Sequence, residues 1–157
     1  MNKKELRAQV ATAVHACQDK KATNIVILRL DAQASGFTDY FVICSGANPR
    51  QIQAIADDID EQLSKQGLNP THREGYHQAE WVLLDYVDFV VHIFSEAARK
   101  FYDLERLWKT AKRLELSDLE KAPKKVAKKP AAKSRHAAKK STVKKSVAKK
   151  SASRKRE

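Results

Sequence analysis

The sequence predicts an α/β (α+β) domain, a mixed sheet with helices packed on it, followed by a disordered basic C-terminal tail. Three observations carry this. Segments with helical spacing and segments rich in β-branched and aromatic residues follow in the order α-β-β-α-β-β-β-α, which builds a five-stranded sheet of mixed direction. Two of the strand segments are apolar on both faces, as strands covered by other layers are. The composition then breaks near Lys121: residues 121–157 hold 13 Lys and 3 Arg against one Glu. Of the chain's net charge of +12, residues 1–120 therefore carry −3, and the basic balance belongs to the tail alone.

Leu6, Val10, Ala13, Val14 and Cys17 fall on one helical face and predict a helix over about 4–18. Residues 24–30 are β-branched and apolar and read as a strand; 32–36 is a small-residue loop; 38–44 is a second strand. Asn48-Pro49 opens a helix, with Asn at the N-cap and Pro in the first turn, where its missing N–H costs little. Ile52, Ile55, Ile59 and Leu63 mark its buried stripe, and Gly67 suits its end. Residues 68–73 read as a short edge strand, the place where Pro70 is tolerated. Two apolar runs flanking Asp85-Tyr86-Val87-Asp88 form a hairpin. In the second run Phe89, Val91 and Ile93 take one face, and Val90 and Phe94 the other, around His92. A last helix is predicted from Ser95 to about Leu114, with Phe101, Leu104, Trp108 and Ala111 on one side.

The tail holds no aromatic, Leu, Ile or Met, so it cannot bury enough apolar surface to offset chain entropy. The expected organisation is one domain over 1–120 and a disordered Lys/Ala-rich tail over 121–157. No run reaches the ~18 apolar residues of a membrane span, and the N-terminus leads into an amphipathic pattern and not a signal peptide. Cys17 and Cys44 lack metal or disulfide spacing and read as buried thiols. A soluble, cytoplasmic protein without membrane partners is expected.

Six pieces of the chain, in order, resemble the ribosome silencing factor (Iojap) family: 38–46 (TDYFVICSG), 50–57 (RQIQAIAD), Glu74-Gly75, 81–86 (WVLLDY), 90–94 (VVHIF), and Arg99 with 101–108 (FYDLERLW). The match spans nearly all of 4–110. The resemblance implies a mixed five-stranded sheet with helices on both faces, related to nucleotidyltransferases, and in several members a homodimer. It also implies binding to the large ribosomal subunit through the universal large-subunit protein fourteen. Bound there, the factor blocks small-subunit joining and lowers translation when nutrients are scarce. Val87 stands where the family turn carries Gly. A β-branched residue disfavours positive φ, so a primed two-residue turn is not expected. The tail lies outside the family core.

A nucleotidyltransferase needs a Gly-Ser loop and paired carboxylates that hold Mg²⁺. Ser45-Gly46 supplies the first, but Asp57, Asp58 and Asp60 lie well inside the following helix; Asp57 and Asp58 point in different directions, and Asp58 and Asp60 do not share a face. They read as solvated helix acids and Ser45-Gly46 as turn chemistry. His15, His72, His77 and His136 lack partners at metal spacing, and His92 reads as a hydrogen-bonded core or interface histidine. No catalytic residue, metal or cofactor is expected. Large aromatics beside acids suit a docking patch instead: Trp81, Leu84, Asp85, Tyr86, Asp88 and Tyr102 are the candidate contacts with a basic ribosomal protein. In the tail Lys124, Lys125, Lys128, Lys129, Lys139, Lys140, Lys144 and Lys145 are candidates for non-specific, salt-dependent contact with ribosomal RNA. The rival readings are a metal-dependent nucleotidyltransferase and a nucleic-acid-binding protein acting through the tail.

Overall fold

The computed structural model describes residues 2–36 and 38–121; the eight tail lysines lie outside them. The elements are α1 (Lys3–Asp19), β1 (Thr23–Arg29), α2 (Ala32–Ser35), β2 (Tyr40–Gly46), α3 (Pro49–Ser64), β3 (His72–Glu74), β4 (Trp81–Asp85), β5 (Phe89–Ser95), α4 (Glu96–Tyr102), α5 (Leu104–Leu107), β6 (Lys112–Leu114) and α6 (Leu116–Glu120).

Local chemistry sets the best-defined helix. Asn48 Oδ1 accepts the Gln51 N–H at 2.8 Å, and Pro49 occupies the first turn of α3. Ile52, Ile55, Ile59 and Leu63 are all fully buried. The helix closes when the Leu68 N–H reaches back to the Leu63 carbonyl at 3.0 Å, with Gly67 in the left-handed region.

The sheet has six strands in the order β3-β4-β5-β2-β1-β6. β2 and β5 are parallel, and every other neighbouring pair is antiparallel. One face carries Val42, Val91 and Ile93 beneath α1, α3 and α6; the other carries Phe41, Ile43, Val90 and Phe94 beneath α4 and α5. The alternation along β5 places Phe89, Val91 and Ile93 in the first cluster and Val90 and Phe94 in the second. The mixed α/β class and the helices on both faces are as expected.

Residues 32–36, read as a loop, hold the short helix α2, and three further expectations are corrected. The sixth strand is β6, which the sequence placed inside the last helix. Asp103, in the left-handed region at φ 44°, ends α4, and residues 112–114 then pair with β1 through Ile27–Leu114, Leu28–Arg113 and Arg29–Lys112. An unpaired edge beside β1 outweighs the helical spacing of residues whose burial comes from other elements. The edge strand near Pro70 begins only at His72 and pairs with β4, which leaves Pro70 ahead of the ladder.

Val87 is the third. It adopts φ +72° despite its branched Cβ, because its neighbours are held on both sides. The Tyr86 N–H donates to the Phe89 carbonyl at 3.0 Å, the Asp88 N–H to the Tyr86 carbonyl at 2.9 Å, and the Val87 N–H to Asp85 Oδ1 at 2.8 Å. A left-handed β-branched residue costs roughly 1–2 kcal/mol, of which Gly relieves the strain while adding up to about 1 kcal/mol of unfolded-chain entropy. Val87→Gly is therefore expected to raise stability by up to about 1 kcal/mol, read from the urea midpoint.

Candidate functional site

Side chains alternate across a strand, and in β4 this sorts the candidates. Trp81, Leu83 and Asp85 look towards the α4–α5 side, while Val82 and Leu84 enter the core beneath α3. Trp81 pairs with Phe94 across the ladder, and their rings stack at 5.0 Å. Tyr102, at the end of α4, lies on Trp81 with ring centroids 4.7 Å apart. Phe101 meets Tyr102 edge-on at 5.0 Å. The three rings Trp81, Tyr102 and Phe101 thus run outward from the sheet, and the outer two are 48% and 81% exposed.

The sequence brought only part of this together. Trp81 and Tyr102 are in contact, and Asp85 shares the strand face of Trp81. Asp85 is bound locally: Oδ1 holds the Val87 N–H and Oδ2 lies 3.6 Å from His72 Nδ1. Asp88 is half-buried in the turn. Leu84 and Tyr86 are corrected as surface residues, because both are buried. Tyr86 stacks on Phe89 at 4.9 Å, and burial pushes its phenol up. Phe101 was missed as a surface group; the helical spacing placed it on one side of the last helix with Leu104, Trp108 and Ala111, which are half-buried against the sheet while Phe101 is exposed. Leu107, on α5, is also exposed, at 75%.

Beneath the rings lies His92. Trp81 Nε1–H donates to His92 Nδ1 at 3.1 Å, and Phe41 packs edge-on against the imidazole at 4.7 Å. Burial lowers the His92 pKa to about 3. The expected hydrogen-bonded core histidine is observed.

The remaining candidates are tied into the scaffold. Ser45 is buried and its Oγ accepts from Arg99 Nη1 at 2.9 Å; Arg99 also pairs with Glu105 at 2.8 Å, and Glu105 with Arg113 at 2.8 Å. Ser45 and Gly46 lie within β2 and not in a turn, and the Arg99 guanidinium links β2, α4 and α5, with Glu105 carrying the chain of ion pairs on to Arg113 of β6. Asp57 and Asp60 are not simply solvated. Arg73 bridges them at 2.6 and 3.0 Å, Tyr76 donates to Asp57 at 2.8 Å, and the Arg73 guanidinium lies 4.2 Å from the Tyr76 ring. These contacts fasten β3 to α3. Cys17 and Cys44 are free and buried in one core cluster.

The described residues form a mixed α/β sandwich whose Arg73 and Arg99 clusters join its own elements and whose solvent-facing aromatics run off one sheet face. Residues 3–145 match the family described as ribosomal silencing factor during starvation. The ribosomal silencing factor RsfS of Halalkalibacterium halodurans is 43% identical over 104 residues, covering 66% of this chain and 88% of that protein. That of Bacillus subtilis is 40% identical over 120 residues, covering 76% and 96%. A crystal structure of a Chromobacterium violaceum protein superposes with a TM-score of 0.63 at 27% identity, covering 82% and 95%. The chain belongs to the ribosomal silencing factor family, whose members are ribosome-associated regulators of translation. No helix among the described residues is long and apolar enough to cross a membrane.

Proposed function

We propose that this protein acts in the cytoplasm by binding the large ribosomal subunit through its universal protein fourteen, and that it sterically prevents small-subunit joining when nutrients are limiting. The observation that carries the reading is the Trp81–Tyr102–Phe101 run of rings on the sheet face of a family member. Aromatic anchors fill pockets on a partner, and flanking charges set orientation and on-rate. Asp85 and Asp88, on a body of net charge −3, complement a basic ribosomal protein. The tail lysines add phosphate contacts to ribosomal RNA. These raise the local concentration of the body near the ribosome and make binding steeply salt-dependent. Self-association, if it used the same rings, would compete with docking.

The test is co-sedimentation of the full chain, and of a chain ending at Lys121, with purified large subunits at near-physiological salt, small subunits being added afterwards. Both proteins are expected to bind and to reduce subunit joining, the shorter one with a flatter salt dependence. Binding by the full chain alone would transfer the function to the tail. Trp81→Ala is expected to weaken binding roughly 30-fold, the scale of a hot-spot anchor. Unchanged affinity in a folded Trp81→Ala protein sinks the docking surface.

A further inference from the structure

We propose that His92 is the positioning residue of the docking surface: it fixes the orientation in which Trp81 is presented to the partner. The proposal rests on the docking reading above. An indole N–H is a donor only, so His92 Nδ1, 3.1 Å from Trp81 Nε1, is the acceptor. The imidazole is therefore neutral and carries its proton on Nε2.

The histidine is the fixed member of the pair. Its ring is held edge-on by Phe41 of β2 and lies parallel to Phe94 of its own strand at 6.1 Å. Both are buried on central strands of the sheet. Trp81 sits further out and is half-buried. Its contacts with Phe94 and Tyr102 are ring-on-ring, and such contacts tolerate rotation of the indole in its own plane. A single directional bond to His92 removes that freedom. Presenting an anchor already in its bound orientation avoids the ordering cost of association.

A second feature separates this role from packing. The opposite ring nitrogen, Nε2, is buried and has no hydrogen-bond partner among the described residues. A buried donor left unpaired costs folding free energy that an apolar ring in the same place would not. His92 is thus a poor choice for stability at a position where Phe has nearly the same shape. What it uniquely supplies is the acceptor under Trp81. Burial keeps that acceptor unprotonated at neutral pH.

The test uses the full chain and purified large subunits. His92→Phe keeps a ring and removes the acceptor. At about pH 7 its thermal midpoint is expected to equal or exceed that of the wild type. Its affinity for the subunit should fall roughly five-fold, the loss of one neutral hydrogen bond worth of orientation. The Trp81 indole N–H resonance should lose its hydrogen-bonded shift and its protection from exchange. In a Trp81→Phe background, where no indole N–H exists, adding His92→Phe should change affinity no further. Wild-type affinity for His92→Phe overturns the proposal. So does an affinity loss matched by a loss of stability, or a full additional loss in the Trp81→Phe background, since each marks a structural role. If Trp81→Phe and Trp81→Ala both bind as wild type, the docking surface itself is wrong, and that outcome is distinct from a failure confined to His92.

Discussion

Acidification from about pH 7 to about pH 4 is expected to remove roughly 3 kcal/mol of folding stability through His92 alone. The imidazole pKa is lowered from 6.5 to about 3 in the folded protein, with burial as the cause. Its surroundings are the rings of Phe41, Trp81 and Phe94, and none of these supplies a counter-charge. In the unfolded chain the same group titrates near 6.5. Between about 6.5 and about 3 the unfolded state holds a proton that the folded state refuses, so stability falls as pH falls, by about 1.4 kcal/mol per pH unit. Below about 3 both states are protonated and this contribution is lost in full. A domain with a total of about 5 kcal/mol, the lower end of the usual range, keeps only about 2 kcal/mol after such a loss, so its urea midpoint falls by more than half. Urea midpoints at about pH 7, 5.5 and 4 measure it. The wild type should lose stability steadily, and His92→Phe should lose it much more slowly. Parallel curves for the two proteins would assign the acid sensitivity to other groups.

The parts of the fold that were legible in the sequence are those where local pattern and tertiary burial agree. Along β5, alternate residues went to opposite core clusters as read, because period 2 and two covered faces leave no other arrangement. In α3 the cap, the proline and the isoleucine stripe all name the same helix. The region after Tyr102 failed for an identifiable reason. Leu104, Trp108 and Ala111 do pack against one cluster, so their spacing reported burial correctly. It did not report conformation, since the chain turns at Asp103 and reaches the cluster by a short helix and a loop. Lys112-Arg113-Leu114 carries no strand pattern of its own; the open edge of β1 imposes one.

The candidate site divides in the same way. Trp81 and Leu84 are three apart and so lie on opposite faces of any strand; assigning both to one surface ignored a rule the sequence already supplied. The contact of Trp81 with Tyr102 joins β4 to the end of α4 and becomes visible only once the sheet order is known. The same holds for Arg73 with Asp57 and Asp60, and for Arg99 with Ser45. In each case a side chain that looks free in sequence finds its partner across a strand order that periodicity does not encode. Val87 shows the converse: three local hydrogen bonds override a residue's own backbone preference.

Gly75→Ala is expected to cost at least about 3 kcal/mol, whereas Gly67→Ala should cost only about 1–2 kcal/mol. Both glycines lie in the left-handed region, at φ +78° and +79°, so the purely conformational penalty is the same for each. The difference is space. A Cβ on Gly67 would meet nothing within 4 Å, while one on Gly75 would overlap the backbone carbonyl oxygen of Trp81. That carbonyl belongs to the first residue of β4 and cannot yield as a side chain can. It moves only if the strand does, and the strand is held by the Glu80 carbonyl accepting from Ser95 N–H at 2.8 Å and by the Trp81–Phe94 register. Gly75 sits on the β3 side of β4, so relief of the clash must press the start of β4 against β5. This displaces the Trp81 indole relative to His92 as well as weakening the sheet. Gly75→Ala should accordingly lose subunit affinity even where enough protein remains folded to measure it, and Gly67→Ala should not. Urea midpoints and subunit binding on the two variants separate the cases. Equal costs would mean that the 75–81 loop gives way freely, and then the backbone beneath Trp81 is not the rigid platform on which an oriented docking residue depends.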